Sequence, residues 1–160
     1  MTQTEKLRLI DVAGAEELEQ VRKLFVEYEQ DLPFDLSFQD FARELEELPG
    51  RYARPTGCLL LAIWAQELAG CVALRQIGER TCEMKRLYVR PAFRGKGIGR
   101  SLAAAVIDEA RKMGYLRMRL DTLASMTEAN ALYRSLGFQP ISAYRHNPIP
   151  DALFLELELR

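Results

Sequence analysis

Several chemistries are missing from this sequence before any is found. Among 160 residues there is one histidine, His146, one tryptophan, Trp64, and three cysteines, Cys58, Cys71 and Cys82. The cysteines are odd in number, sit inside apolar runs and lack metal-ligand spacing, so they read as buried, reduced thiols of a protein kept in a reducing compartment. No His/Cys/Asp/Glu cluster has ligand spacing, and no serine or cysteine stands in a nucleophile-elbow context. Neither a metal mechanism nor a covalent acyl-enzyme is indicated. No apolar run approaches the roughly 18 residues of a membrane span, and Met1–Lys6 lacks the apolar core of a signal peptide. Excess charge is absent as well: 22 Lys+Arg stand against 23 Asp+Glu, a net charge of −1. A nucleic-acid binder shows a strongly basic face or domain, so the expectation is a cytoplasmic protein with no metal, no membrane and no nucleic-acid partner.

What is present is an ordinary globular balance, 48% hydrophobic and 28% charged, in a length that suits one domain over residues 1–160 with a substantial core. Lys6 to Val12 alternates as a short strand. Leu18, Val21, Leu24, Phe25 and Tyr28 share one helical face. Ser37-Phe-Gln-Asp40 has the form of a capping box for a second helix carrying Phe38, Phe41, Leu45 and Leu48, which Pro49-Gly50 ends. Gly57 to Trp64 suits a buried strand, Glu67 to Gly70 reads as its turn, and Cys71 to Ile77 and Cys82 to Val89 complete an antiparallel meander. Tyr115 to Asp121 alternates as a half-buried strand. Ser125-Met-Thr-Glu128 reads as another capping box, for a helix around Asn130 and Tyr133 that Gly137 stops. Phe138 to Ile141 and Ala152 to Leu159 read as closing strands, bracketing a proline-rich loop from Tyr144 to Pro150.

The chain is organised around Glu83 to Arg100. Leu87, Tyr88 and Val89 favour a strand, Pro91 bars its continuation as a central strand, and Gly95, Gly97 and Gly99 let the backbone turn sharply and approach a ligand. Ile98, Leu102, Ala105, Val106 and Met113 then recur at helical spacing. The first amides of such a helix have no internal partner and carry the positive end of its dipole, so they suit an anion. Arg94, Lys96 and Arg100 add charge of matching sign. A nucleotide-kinase loop would need Gly-x-x-x-x-Gly-Lys-[Ser/Thr], which Lys96-Gly97-Ile98 does not supply. A dinucleotide fold fits poorly, because Arg100 occupies the third glycine position and Pro91-Ala-Phe93 lengthens the turn.

Arg94-Gly-Lys-Gly97-Ile-Gly99 resembles the acyl-CoA-binding motif of the GNAT acetyltransferase superfamily, Gln/Arg-x-x-Gly-x-Gly/Ala. Asn130-Ala-Leu-Tyr133-Arg-Ser-Leu-Gly-Phe138 is similar to that family's Asn-x-x-Tyr-x-x-x-Gly-Phe helix. The two stand in the right order, joined by a helix and a strand. The resemblance implies a mixed α/β (α+β) fold with a central, mostly antiparallel sheet of about seven strands flanked by helices. It implies an acyl-CoA-dependent N-acetyltransferase moving an acetyl group from acetyl-CoA to a primary amine of a small molecule, amino acid or peptide. The alternative is a coenzyme A-binding sensor or regulatory module without turnover.

By the same resemblance, backbone groups of Leu87, Tyr88 and Val89 meet the pantetheine arm, and residues Arg94, Gly95, Lys96, Gly97, Ile98, Gly99 and Arg100 take the pyrophosphate. Ser101 adds a hydroxyl at the helix start and Asn130 faces the cofactor arm, or else is a satisfied helix-surface amide. Glu83 matches a family position for a catalytic base, with a strand-end carboxylate paired to Lys85 or Arg86 as the plain alternative. Tyr133 matches the tyrosine near the departing thiolate, with a core aromatic as its alternative. His146 reads as a solvated loop residue. The helix pair from Glu27 to Tyr52 and the loop from Tyr144 to Pro150 are expected to frame the acceptor pocket, where Glu27, Tyr28, Glu29, Asp31 and Asp35 hint at a cationic acceptor, with a solvated helix end as the alternative reading of the acids. A homodimer through the final strand is left open.

Overall fold

The computed structural model describes residues 6–160; residues 1–5, on which most of the signal-peptide reading falls, lie outside the described residues. In chain order the elements are β1 (Leu7–Asp11), α1 (Ala15–Gln30), α2 (Phe41–Glu47), β2 (Cys58–Trp64), β3 (Glu67–Gly78), β4 (Thr81–Val89), α3 (Ile98–Lys112), β5 (Arg117–Leu123), α4 (Thr127–Ser135), β6 (Gln139–Ile141) and β7 (Ala152–Glu158). The seven strands form one sheet in the order β1-β2-β3-β4-β5-β7-β6, and all pairs are antiparallel except β4 with β5. β7 is paired along its length by β5 and on its other flank by β6 over Phe154–Glu156.

Both faces of the sheet are covered, which is why β2 is buried at every position and reads as an unbroken apolar run. On one face Leu102, Val106 and Ala110 of α3 and Tyr133 of α4 pack against Leu60, Val72, Leu74 and Met84. On the other, Val21, Leu24 and Phe25 of α1 and Phe41 of α2 pack against Leu59, Leu61 and Tyr88. Truncating a buried leucine of this kind costs about 2–5 kcal/mol. All three cysteines are buried and free, and burial pushes the Cys58 and Cys82 thiols up to about 12.

Three local expectations are corrected. The turn between β2 and β3 is Ala65-Gln66, both at positive φ (47° and 73°), and β3 begins at Glu67 instead of Cys71. No Asn-Gly pair marks that turn. Ser37–Gln39 forms a 3-10 turn, and the helix starts only after Asp40 at φ 57°. Helix α4 starts at Thr127 behind Met126, without a side-chain cap bond.

Two irregularities of β4 position the site. Its parallel pairing with β5 extends only over Thr81–Glu83 against Arg117–Arg119, so the rest of β4 diverges from β5. Opposite β3, Ala73 pairs with Lys85 and Cys71 with Tyr88, which sets Arg86 and Leu87 against Val72 alone. This bulge puts Arg86 at φ 58°. It breaks the alternation, so Lys85 and Arg86 both contact residues of the α1/α2 face while Leu87 packs on the α3 side.

Candidate active site

The divergence of β4 and β5 opens a cavity of about 780 Å³. Of the residues assigned to the cofactor from sequence, Leu87, Tyr88, Val89, Arg94, Gly95, Gly97, Ile98 and Gly99 line it, as does Tyr133. Beyond the short parallel pairing, Leu87–Val89 have no β5 residue opposite them, so backbone groups on that edge are open to an extended ligand. Gly95 and Gly97 stand at φ 82° and 79°, and a Cβ on either would meet no protein atom within 4 Å. Their need for glycine is conformational. Gly97 is the residue before α3, and Ser101 N donating to Gly97 O at 3.1 Å closes the first helical turn. The amides of Ile98, Gly99 and Arg100 precede that bond, an anion-binding arrangement at the positive end of the helix dipole.

The three basic side chains of the turn all have partners within the protein. Arg94 donates through Nε to Val89 O at 2.9 Å and through Nη2 to Asp31 at 3.1 Å, tying the turn to the end of β4 and to α1. Lys96 Nζ lies 5.5 Å from the Trp64 ring centroid, and Arg100 donates to Ser135 Oγ at 2.5 Å. Lys96, Arg100 and Ser101 do not line the cavity. The anion-binding character of this turn therefore resides in backbone amides more than in side-chain charge.

Asn130 is buried and also absent from the cavity wall. Its amide donates to Leu123 O at 2.8 Å and accepts from Thr122 Oγ1 at 3.0 Å. Both ends of the side chain are spent holding α4 to the end of β5, so of the two sequence readings the satisfied amide fits. The same clamp sets the position of Tyr133, whose ring makes an edge contact with Phe138 at 5.7 Å. Burial raises the Tyr133 hydroxyl above its ordinary range, which keeps it protonated as a donor.

Glu83 differs most from expectation. It is 0% exposed, does not line the cavity, and pairs with neither Lys85 nor Arg86. Arg75 Nε donates to Oε1 at 2.9 Å, and Oε2 accepts from Tyr144 Oη at 2.6 Å and from Arg145. Two guanidiniums and a phenol thus enclose both oxygens of the carboxylate. Arg145 also donates to Asp121 Oδ1 at 3.3 Å, and Asn147 donates to Asp121 Oδ2 at 3.1 Å. Asp121 and Asn147 do line the cavity.

The helix-pair region contributes Tyr28, Asp31, Phe34, Phe38 and Gln39 to the wall. The acids that suggested a cationic acceptor are committed within the protein. Glu27 makes a two-pronged pair with Arg90 at 2.8 and 2.9 Å, Asp31 pairs with Arg94, Glu29 accepts the Leu36 amide and Asp35 accepts from Ser37. Sequence reasoning missed Lys85, which is buried and lines the cavity, with its ammonium on Gln39 Oε1 at 2.6 Å. Beside it Arg86 is held by Glu44 at 2.9 and 3.0 Å and lies over the rings of Tyr28 and Phe41. The available signal was two charges, Glu83 and Lys85, alternating with Cys82 and Met84 in an otherwise apolar strand. His146 is exposed.

Residues 18–138 match the model of the acetyltransferase (GNAT) family. An uncharacterized N-acetyltransferase of Schizosaccharomyces pombe is 40% identical over 146 residues, covering 90% of each chain. The N-acetylaspartate synthetase of Danio rerio is 33% identical over 127 residues, covering 77% of this chain and 45% of that one. Among solved structures, yncA of Salmonella typhimurium with its cofactor acetyl-CoA superposes with a TM-score of 0.69 at 22% identity, covering 97% of this chain and 95% of that one. The split sheet, the glycine turn at a helix start and the match over residues 18–138 agree, and this chain belongs to the GNAT family of acetyltransferases.

Proposed function

We propose that the protein transfers an acetyl group from acetyl-CoA to a primary amine of a small molecule, amino acid or peptide, by direct attack while both are bound. One observation carries this reading: the open edge of β4, the amides at the start of α3 and Tyr133 all face a single cavity. The acetyl-CoA seen with yncA and the amino-acid product in the name N-acetylaspartate synthetase support donor and acceptor class respectively.

The amine nitrogen adds to the thioester carbonyl, the C–N bond forms, the C–S bond breaks, and thiol, amide and one proton leave. An ammonium of pKa near 10.4 is almost entirely charged at pH 7, so a proton must depart before attack. Glu83 does not line the cavity, whereas Asp121, although held by Arg145 and Asn147, does, and in this reading Asp121 receives that proton. Glu83 is then a positioning residue acting through Tyr144 and Arg145. Moving a proton fully from a phenol near 10 to a thiolate near 8.5 is uphill by about 2 kcal/mol, and burial of Tyr133 steepens that climb. Tyr133 therefore stabilises developing charge on sulfur through a hydrogen bond. Free-thiol release from acetyl-CoA across an amine panel tests the proposal: release with some amine is expected, and coenzyme A binding without release for any would identify a sensor instead.

A further inference from the structure

Three cations line the cavity, and two of them are neutralised within the protein: Arg86 by Glu44 and Arg94 by Asp31. Lys85 is the exception. Among the described residues no carboxylate lies within 4.0 Å of its ammonium, and its hydrogen-bond partner is the neutral amide of Gln39. The residue is 5% exposed and held between β3, the Ser37–Gln39 turn and the arginine beside it. A buried charge is normally paired, because removing an ion from water is costly unless an opposite charge replaces the lost solvation. Lys85 lies in a cavity wall, where a ligand can supply that opposite charge.

Asp121, also in the wall, completes the pattern. It lies beyond salt-bridge distance of Lys85, and its two oxygens accept from Arg145 and from Asn147, which is also in the wall. One cavity thus presents an anchored carboxylate and, apart from it, an unmatched ammonium.

Building on the acetyltransferase reading, we infer that the acceptor is an amine that also carries a carboxylate, an amino acid in chemical class, with its ammonium on Asp121 and its carboxylate on Lys85. This arrangement disfavours plain alkyl amines and lysine side chains of proteins, which bring a second cation to Lys85 and nothing to neutralise it. Specificity then comes from a charge that the wrong acceptor leaves buried and unpaired.

The test compares free amino acids, beginning with aspartate, glutamate and glycine, with their carboxamides and decarboxylated amines. Two readouts are used: thiol release, and calorimetric titration of the protein saturated with coenzyme A. For accepted amino acids, kcat/KM and affinity are expected to fall at least tenfold when the carboxylate is amidated. In Lys85→Met and Lys85→Gln that discrimination should shrink to about twofold, through KM more than kcat, with coenzyme A affinity kept as the check on folding. Amides or alkyl amines serving as well as the acids would overturn the inference and leave the transferase reading intact. Carboxylate-dependent binding without thiol release would do the reverse. A collapse of kcat for every acceptor in both Lys85 variants, with KM unchanged, would assign Lys85 to proton transfer and also overturn it.

Discussion

The two halves of the cavity are made of different material. The donor half is contiguous chain, residues 87–99, in which an unpaired strand edge, two left-handed glycines and a helix start present backbone groups. The acceptor half is side chains brought from β3, β4, β5, α2, the Ser37–Gln39 turn and the loop after β6, and fixed by ion pairs. In the proposed reaction, backbone grips what chemistry holds constant, a diphosphate and a pantetheine arm. Side chains meet what varies, and each can be exchanged without unmaking the turn.

The contrast can be broken at its strongest point first. Replacing Glu83 with alanine leaves the half-buried Arg75 without its carboxylate and Arg145 with Asp121 alone, a loss of up to about 3–5 kcal/mol. At about 2–4 °C per kcal/mol for a chain of this size, calorimetry should record a fall in Tm of roughly 6–20 °C. Below that temperature the pH–rate profile should keep its rising limb; a Glu83→Ala protein of normal Tm that has lost the limb would restore Glu83 as the base.

Next in size is Tyr133→Phe. Losing a hydrogen bond to a charged group costs about 1.5–3 kcal/mol, so kcat should drop about 10- to 150-fold while coenzyme A affinity stays within about twofold. Equal turnover in the two proteins would remove the hydroxyl from the reaction.

Gly97→Val probes the donor half. A β-branched residue at φ 79° costs about 1–2 kcal/mol, and coenzyme A affinity should weaken about tenfold in a titration. Gly97→Asn should lose less, because asparagine tolerates the left-handed region. If valine binds as well as glycine, the grip lies in the side chains after all.

The smallest effect is one of pH. Burial, aided by Arg86 and Arg75, lowers Lys85 from its ordinary range to about 7, against the opposing pull of Asp121 and Glu44, with neutral Gln39 at the ammonium. A carboxylate bound there raises it again, so binding takes up a proton. Affinity of a carboxylate-bearing acceptor should be flat below pH about 7 and fall by up to tenfold per unit above it. The neutral carboxamide should show no such slope, and calorimetry in buffers of different ionisation heat reads the proton directly.

The same division explains what could be read in advance. The strand, glycine turn and helix from Glu83 to Arg100 are local in sequence and governed by propensity and φ, so periodicity and glycine placement located them. The fold class followed from that pattern and its resemblance. The acceptor half depends on partners 42 to 62 residues apart, Arg86 with Glu44 and Glu83 with Arg145, which no spacing rule connects. The bulge at Arg86 was equally hidden, since a positive φ at an arginine leaves no compositional mark. The bonds of Asn130 to Thr122 and Leu123 were hidden for the same reason, because they join residues that meet only in the folded chain.

The parallel seam between β4 and β5 is only three residues long. Without ligand the sheet resembles a zipper fastened at one end, its two leaves joined by Thr81–Glu83 and the helices behind. In the proposed reading, a donor lying along the open edge of β4 supplies missing rungs, and in doing so stitches the leaves together. Amide hydrogens on the open edge of β4, that of Val89 among them, should therefore exchange slowly only once coenzyme A is added, making the first substrate a temporary part of the scaffold that receives the second.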